Sequence, residues 1–237
     1  MAAPSTRRPI IPTAPCSASR CRSAKRRTEI VQEPEATIYV VDDDPLVRDG
    51  LDSLLRSVGY EVRAFASVDA FARHTRPQAP SCLVLDVRMP GPSGLDFQAR
   101  LTAAGDTIPI IFLTGHGDVP MSVRAMKVGA VEFLLKPFRE QDLLDAVAAG
   151  LARDRAARAD AAFGAGLQER FATLSQRERD VMALVVTGLL NKQVAAELGV
   201  SEITVKVNRA QAMRKMKAAT LPDLIRMADR LGLAANR

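Results

Sequence analysis

Tryptophan is absent from this 237-residue sequence, and the other aromatics are few, 8 Phe and 2 Tyr. Any core must therefore be assembled from Val, Leu, Ile, Ala and Met. Cysteine is scarce as well. Three residues, Cys16, Cys21 and Cys82, are an odd number, and Cys82 lies in a strand-like run, which does not suit a disulfide framework. The expectation is reduced thiols in a cytoplasmic protein. Cys16 and Cys21 have no partner ligands nearby, so no metal site is expected there. No run approaches the ~18 apolar residues of a membrane span, so no membrane association is expected.

Charge is unevenly distributed along the chain. Residues 1–36 carry 7 Lys/Arg against 3 Asp/Glu, residues 37–150 carry 11 against 15, and residues 151–237 carry 15 against 9. An acidic middle beside a basic C-terminal part points to a polyanion partner for the latter alone. Residues 1–36 are rich in Pro, Ser, Ala and Arg without apolar period and read as a disordered basic tail. The stretch from Arg20 to Arg27 has the composition of a transit sequence, but a loose tail or an over-extended start is the preferred reading.

From Thr37 onward, strand and helix patterns alternate. Ile38–Val41, Tyr60–Ala64, Ser81–Leu85, Ile108–Leu113 and Val131–Leu135 read as strands. Helices are expected from Pro45 to Val58, Val68 to His74, Leu95 to Ala104, Val119 to Val128, and Glu140 to about Arg153. Gly59, Gly105 and Gly129 end three of them. Five such units imply an α/β fold with a parallel sheet covered by helices on both faces.

Strand ends carry the chemistry. The first strand finishes in Asp42-Asp43-Asp44, the third in Asp86, the fourth in Thr114-Gly115 and the fifth in Lys136-Pro137. In a parallel sheet these converge on the carboxyl edge, where open α/β sheets bind ligands. Crowded carboxylates repel unless a hard cation sits among them, and Mg²⁺ suits such a set. Asp86 can then attack a phosphoryl group, with Lys136 neutralising its oxygens and Thr114 donating a hydrogen bond. Asp44, followed by Pro45, reads mainly as a helix N-cap.

Asp42-Asp43, Asp86 before Met89-Pro90 and Gly94, Thr114-Gly115 and Lys136-Pro137 together resemble the receiver domain of two-component response regulators, over residues 37–152. The resemblance implies a (βα)₅ doubly wound sheet in the order 2-1-3-4-5, a topology for which a member of this family serves as a standard example. It implies phosphorylation of Asp86 by a sensor histidine kinase. The metal set would be Asp43 and Asp86 directly, Asp42 through water, and the main-chain carbonyl of Arg88. Phe133, three residues before the lysine, falls at the family's switch aromatic. Thr114-Gly115-His116-Gly117-Asp118 and Lys136-Pro137-Phe138 are similar to the FixJ branch. His116 reads as a loop residue.

Between Arg153 and Arg170 an Ala- and Arg-rich stretch is interrupted by Gly164 and Gly166. It reads as a solvated helix turning into a flexible joint. A small all-α four-helix domain is expected over 171–237. Ser175 and Glu178 form a capping box opening a helix that ends by Gly188. Asn191–Leu198 is a short helix, Ser201 caps another running to about Lys217, and Pro222–Leu231 is the fourth. The pair joined at Gly199-Val200-Ser201 fits a helix-turn-helix. Its second helix carries Lys206, Arg209, Arg214, Lys215 and Lys217, with Ile203, Val207, Met213 and Met216 as core or groove contacts.

Leu174-Ser175-Gln176-Arg177-Glu178-Arg179, Asn191-Lys192-Gln193-Val194-Ala195, Leu198-Gly199-Val200-Ser201 and Thr204-Val205-Lys206 resemble the LuxR-type effector domain. That resemblance places Lys206, Val207, Asn208 and Arg209 at the major groove, and Asn191, Lys192, Thr204 and Arg214 at phosphates. Position 208 departs from the family, which usually has His there.

Taken together, the resemblances imply a phosphorylation-switched transcription factor. Phosphate on Asp86 adds up to about −2 of charge, draws in Thr114, and lets Phe133 turn inward. The fourth helix and fifth strand are thereby reshaped for homodimer formation on promoter DNA. Activation through RNA polymerase is the implied outcome. Two rival readings exist. A haloacid-dehalogenase-type phosphatase would use Asp42 as nucleophile and Asp44 as acid, but Asp86 would be surplus and no cap insertion is visible. A regulator independent of phosphorylation would leave the acceptor set unused.

Overall fold

The computed structural model describes residues 36–115 and 119–233, with the side chains of 119–121 left aside. The expectations for the basic tail, for Cys16 and Cys21 and for His116 fall outside these residues. Five strands, β1 (Thr37–Val41), β2 (Glu61–Phe65), β3 (Ser81–Asp86), β4 (Ile110–Thr114) and β5 (Glu132–Leu135), form one sheet. Every pairing is parallel and the order is β2-β1-β3-β4-β5. The first strand sits between β2 and β3, so the chain reverses its winding direction between β1 and β3, which opens a crevice at the carboxyl edge there.

Each residue of β1, β3 and β4 is buried, as expected of strands covered on both faces. Alternation then sorts their side chains into two cores. Ile38, Val40, Val84 and Ile111 pack with Leu51 and Leu55 of α1 (Pro45–Ser57) and with Leu143, Val147 and Leu151 of α5 (Glu140–Ala172). Tyr39, Val41, Leu83, Leu85 and Phe112 pack on the other face. There they meet Val68 and Phe71 of α2 (Val68–Ala72), Phe97 of α3 (Gly94–Ala103) and Ala125 of α4 (Val119–Lys127). The fourth strand begins two residues later than the apolar run suggests, because Pro109 has no N–H to give the ladder. Its carbonyl still accepts from Leu83 N at 2.9 Å.

Two glycines mark close approaches. A Cβ on Gly150 of α5 would lie 2.6 Å from Cys82 Sγ, so this helix rests directly on β3. One on Gly94 would lie 2.5 Å from the carbonyl oxygen of Asp86. The start of α3 is therefore pressed against the end of the strand that carries Asp86.

The joint expected around Gly164 and Gly166 is instead helix, since α5 runs without interruption for 33 residues. Each glycine costs only about 1 kcal/mol of helix propensity, and the surrounding alanines favour the helix. Tertiary anchors supply the rest. Asp154 is buried and accepts from Ser81 N at 2.8 Å and from Arg158 Nε at 2.6 Å. Leu167 is buried with Leu174, Met182 and Leu224. Asp160 pairs with Arg230, whose guanidinium lies 5.0 Å from the Phe163 ring centre.

Four helices follow: α6 (Gln176–Val185), α7 (Asn191–Leu198), α8 (Glu202–Met216) and α9 (Leu221–Arg230). The Ser175–Glu178 capping box opens α6, and the buried Glu178 carboxylate also holds Lys215 of α8 at 2.6 Å. Gly199 turns the chain at φ +63° between α7 and α8, where a side chain would be strained. Ser201 then caps α8 by accepting from Thr204 N at 3.1 Å.

Candidate functional site

The strand ends do converge. Asp42 follows β1 and is 1% exposed, Asp86 closes β3 at 5%, and Thr114 closes β4 fully buried. Lys136 follows β5, and its main-chain N–H donates to Thr114 O at 2.7 Å, which aligns the two strand ends. Its ammonium reaches back across the edge, 2.6 Å from Asp42 Oδ2 and 2.8 Å from Asp86 Oδ1. The other oxygen of each carboxylate is held by main chain. Asp42 Oδ1 accepts from Asp44 N at 2.9 Å and Asp86 Oδ2 from Arg88 N at 2.7 Å.

Electrostatics follow from that burial. Desolvation pushes the Asp86 carboxyl above the usual carboxylate range, and the negative charge of Asp42 adds to it. The hydrogen bond and charge of Lys136 oppose the rise without cancelling it. Burial alone would lower the Lys136 ammonium, but its hydrogen bonds to Asp42 and Asp86 outweigh this and hold it above its ordinary value. The result is one cation shared by two carboxylates, a site with surplus negative charge.

The donor set is all oxygen, and each of the four carboxylate oxygens named above keeps a second lone pair. That chemistry fits a hard cation such as Mg²⁺. Asp43 does not join the other two carboxylates. Its side chain is exposed, and among the described residues no cluster of three candidate metal-ligating side chains is gathered. Sequence reasoning also missed Arg48. From the first turns of α1 its Nη1 donates to the carbonyls of Asp42 and Asp43 at 2.7 and 2.9 Å, fixing the loop. The one signal for it was its place one turn beyond the Asp44-Pro45 helix start.

Asp44 is the helix cap that its Pro45 neighbour implied, accepting from Leu46 N at 2.9 Å. An acid role for it under the phosphatase reading would compete with that bond. Phe133 is half-buried, with its ring 6.3 Å from that of Phe112. Its packing against the second core is thus already established.

In the helical domain, Val205, Ala212 and Met216 of α8 are fully buried, and the opposite side faces outward. Lys206 and Val207 are exposed there, as is Arg214 near the end of the helix. Lys206 pairs along the helix with Glu202 at 3.3 Å. Asn208 is half-buried, with Nδ2 donating to Thr204 O at 2.8 Å. That bond is the ordinary i−4 option open to a short polar side chain. Thr204 is itself part of the cap, its hydroxyl 2.9 Å from that of Ser201. Arg209 Nη1 donates to Asn191 Oδ1 at 3.1 Å and so ties α8 to the start of α7. Lys192, beside Asn191, is exposed.

Comparison with known proteins gives the same two-part division. Residues 38–148 match the response regulator receiver domain family, and residues 172–228 match the bacterial regulatory proteins of the luxR family. Nodulation protein W of Bradyrhizobium diazoefficiens is 57% identical over 202 residues, 85% of this chain and 89% of that protein. The transcriptional regulatory protein FixJ of Azorhizobium caulinodans is 47% identical over 199 residues, covering 83% and 93%. Among solved structures, the response regulator StyR is 49% identical with a TM-score of 0.73, covering 83% of this chain and 99% of that one. Nothing in these matches supports the phosphatase alternative.

Proposed function

The chain belongs to the two-component response regulators that join a receiver domain to a LuxR-type DNA-binding domain, and from that premise we propose that Asp86 is its phosphoacceptor and α8 its DNA-reading helix. The observation that carries the first part is the nearly buried Asp86 carboxylate, sharing the Lys136 ammonium with Asp42 at the carboxyl edge of the sheet. Domain limits follow the same reading: a receiver over 37–152, a helical connection over 153–170 and the DNA-binding domain over 171–237.

An Asp86 oxygen attacks the phosphorus of a phosphohistidine on a sensor kinase. The new O–P bond forms as the P–N bond breaks, and its electron pair leaves with the imidazole. Lys136, already within hydrogen-bond reach of Asp86, turns its ammonium to the incoming phosphoryl oxygens. Thr114 presents its hydroxyl to the same group. Asp42, Asp86, the Arg88 carbonyl and, with its exposed side chain turned toward them, Asp43 would hold Mg²⁺, which would supply further charge neutralisation when bound. Arg48 keeps the Asp42–Asp43 main chain in place throughout. The chemistry ends with self-phosphorylation and self-dephosphorylation, so the chain is a cytoplasmic regulator rather than an enzyme acting on other substrates.

Once bound, the phosphoryl group competes with Asp42 for Lys136 and recruits Thr114. Phe133 follows inward on β5, and the α4–β5 face becomes the homodimer surface. Dimerisation then sets two copies of α8 on adjacent half-sites of promoter DNA, where RNA polymerase is recruited. Lys206, Val207 and Arg209 read bases, while Asn191, Lys192, Thr204 and Arg214 hold phosphates. Asn208 acts at the flank.

Wild type and Asp86→Asn, each given Mg²⁺ and a small acyl phosphate, are followed by intact mass and by light scattering. Wild type alone should gain one phosphoryl group and shift from monomer to dimer. Labelling that persists in Asp86→Asn, or dimerisation in the absence of label, would overturn the proposal.

A further inference from the structure

The outward side of α8 is apolar where a surface helix is normally polar. With 3.6 residues per turn, Ile203, Val207, Ala210 and Arg214 fall directly opposite the buried Val205, Ala212 and Met216. Ile203 is 74% exposed and Val207 54%. Among the described residues, neither Ile203 nor Val207 joins either hydrophobic cluster of this domain. Leu190, the residue before α7, is 71% exposed as well. Basic residues outnumber acidic ones around this stripe: Lys206 beside it, paired with Glu202, Arg214 at its end, and Arg209 on the flank that meets Asn191 of α7.

We propose that Ile203 is a specificity-determining residue that packs against a thymine C5-methyl group in the major groove, beside the Val207 already assigned there. This rests on the reading of α8 as the groove helix. The basic surround selects a polyanion over an apolar protein face. Within the major groove, the thymine methyl is the apolar feature that the base edges offer. Ile203 is the second residue of α8, and the N-terminal part of a recognition helix is the part that reaches the bases. Its β-branched side chain is stiff in a helix, so little rotamer freedom is lost on docking. Neither Ile203 nor Val207 can hydrogen-bond a base, so the discrimination they give is between thymine and the other three bases. Lys206, one turn on from Ile203, supplies the polar reading beside them.

The test uses the full-length phosphorylated protein and a randomised duplex pool. After selection, each thymine in the recovered site is replaced singly by deoxyuridine, which removes the methyl group alone. Wild type should bind about fourfold more weakly at one or two positions per half-site, the effect of burying one methyl-sized group. Ile203→Ala should lose that sensitivity at one position and bind thymine and deoxyuridine there equally. Uniform indifference of wild type to deoxyuridine, or a sensitivity that Ile203→Ala retains, would overturn the inference and leave the stripe to a protein partner. Lys206→Ala and Arg209→Ala separate the two levels. If both leave binding unchanged, the reading of α8 as the groove helix falls and the inference falls with it.

Discussion

Replacing Gly94 by alanine tests how tightly Asp86, the proposed phosphoacceptor, is held from behind. The added Cβ would stand 2.5 Å from Asp86 O, 3.2 Å from Val87 Cα and 3.2 Å from Leu85 Cγ. Two of these three are main-chain atoms of the strand end itself, so no side chain can swing aside to relieve the contact. Ordinary contact needs about 3.5 Å, which asks the start of α3 to retreat from β3 by about an ångström. That retreat strains the 3.0 Å hydrogen bond from Gly94 N to Val87 O and drags the Asp86 main chain with it. Overpacking of this kind destabilises by about 1–3 kcal/mol, and an ångström of misplacement at a reacting group slows the reaction by up to about 100-fold. Both quantities are measurable in the intact protein. Tyr39 and Tyr60 are its two tyrosines and it has no tryptophan, so tyrosine fluorescence in a urea titration reports this domain alone. Intact-mass time courses with a small acyl phosphate give the rate. Gly94→Ala that labels within twofold of wild type at unchanged stability would show that α3 does not hold Asp86 in place.

Other consequences follow from the two buried ion pairs. Lys136→Met leaves the Asp42 and Asp86 carboxylates facing each other without their cation, and the tyrosine-detected transition should lose about 3 kcal/mol near pH 7. Part of that loss should return on acidification, because Asp86, already raised by burial, takes up a proton more readily when folded. A loss independent of pH would contradict the shared-cation picture. In the helical domain, burial would raise Glu178, but Lys215 and the Ser175 N–H outweigh it and hold the carboxyl below the usual range. Its contribution is therefore complete above the unfolded value of about 4.3 and disappears as pH falls through the folded one. Thermal melts by far-UV circular dichroism should show the tyrosine-silent transition dropping below about pH 5 in wild type, and less steeply in Glu178→Gln; parallel curves would count against the bond.

Strand ends were the most legible feature of this chain, for a physical reason. Continuous apolar runs in β1, β3 and β4 admit one arrangement, a parallel sheet buried on both faces, and its carboxyl edge then gathers whatever polar residues follow. Caps were equally readable at Asp44, Ser175 and Ser201, because their bonds are local. Tertiary competition decided the rest. Gly164 and Gly166 suggested a joint, yet the burial of Leu167 and the anchoring of Asp154 carry α5 through them. Asp42 and Asp43 look alike as neighbours, and the difference between a buried carboxylate on Lys136 and an exposed one appears only when β5 is set beside β4. Asn208 could reach a base or its own helix, and without DNA its amide is bonded to Thr204 O. Arg48 gave no local sign that its partners would be the carbonyls of Asp42 and Asp43.

We propose that the phosphoryl group resides on one carboxylate among several at this edge. Borohydride reduces an aspartyl phosphate to homoserine, so reduction of the freshly phosphorylated protein followed by peptide mass mapping reads the position directly. Homoserine is expected at position 86 and nowhere else. Homoserine at 42 or 43, with Asp86 intact, would contradict it.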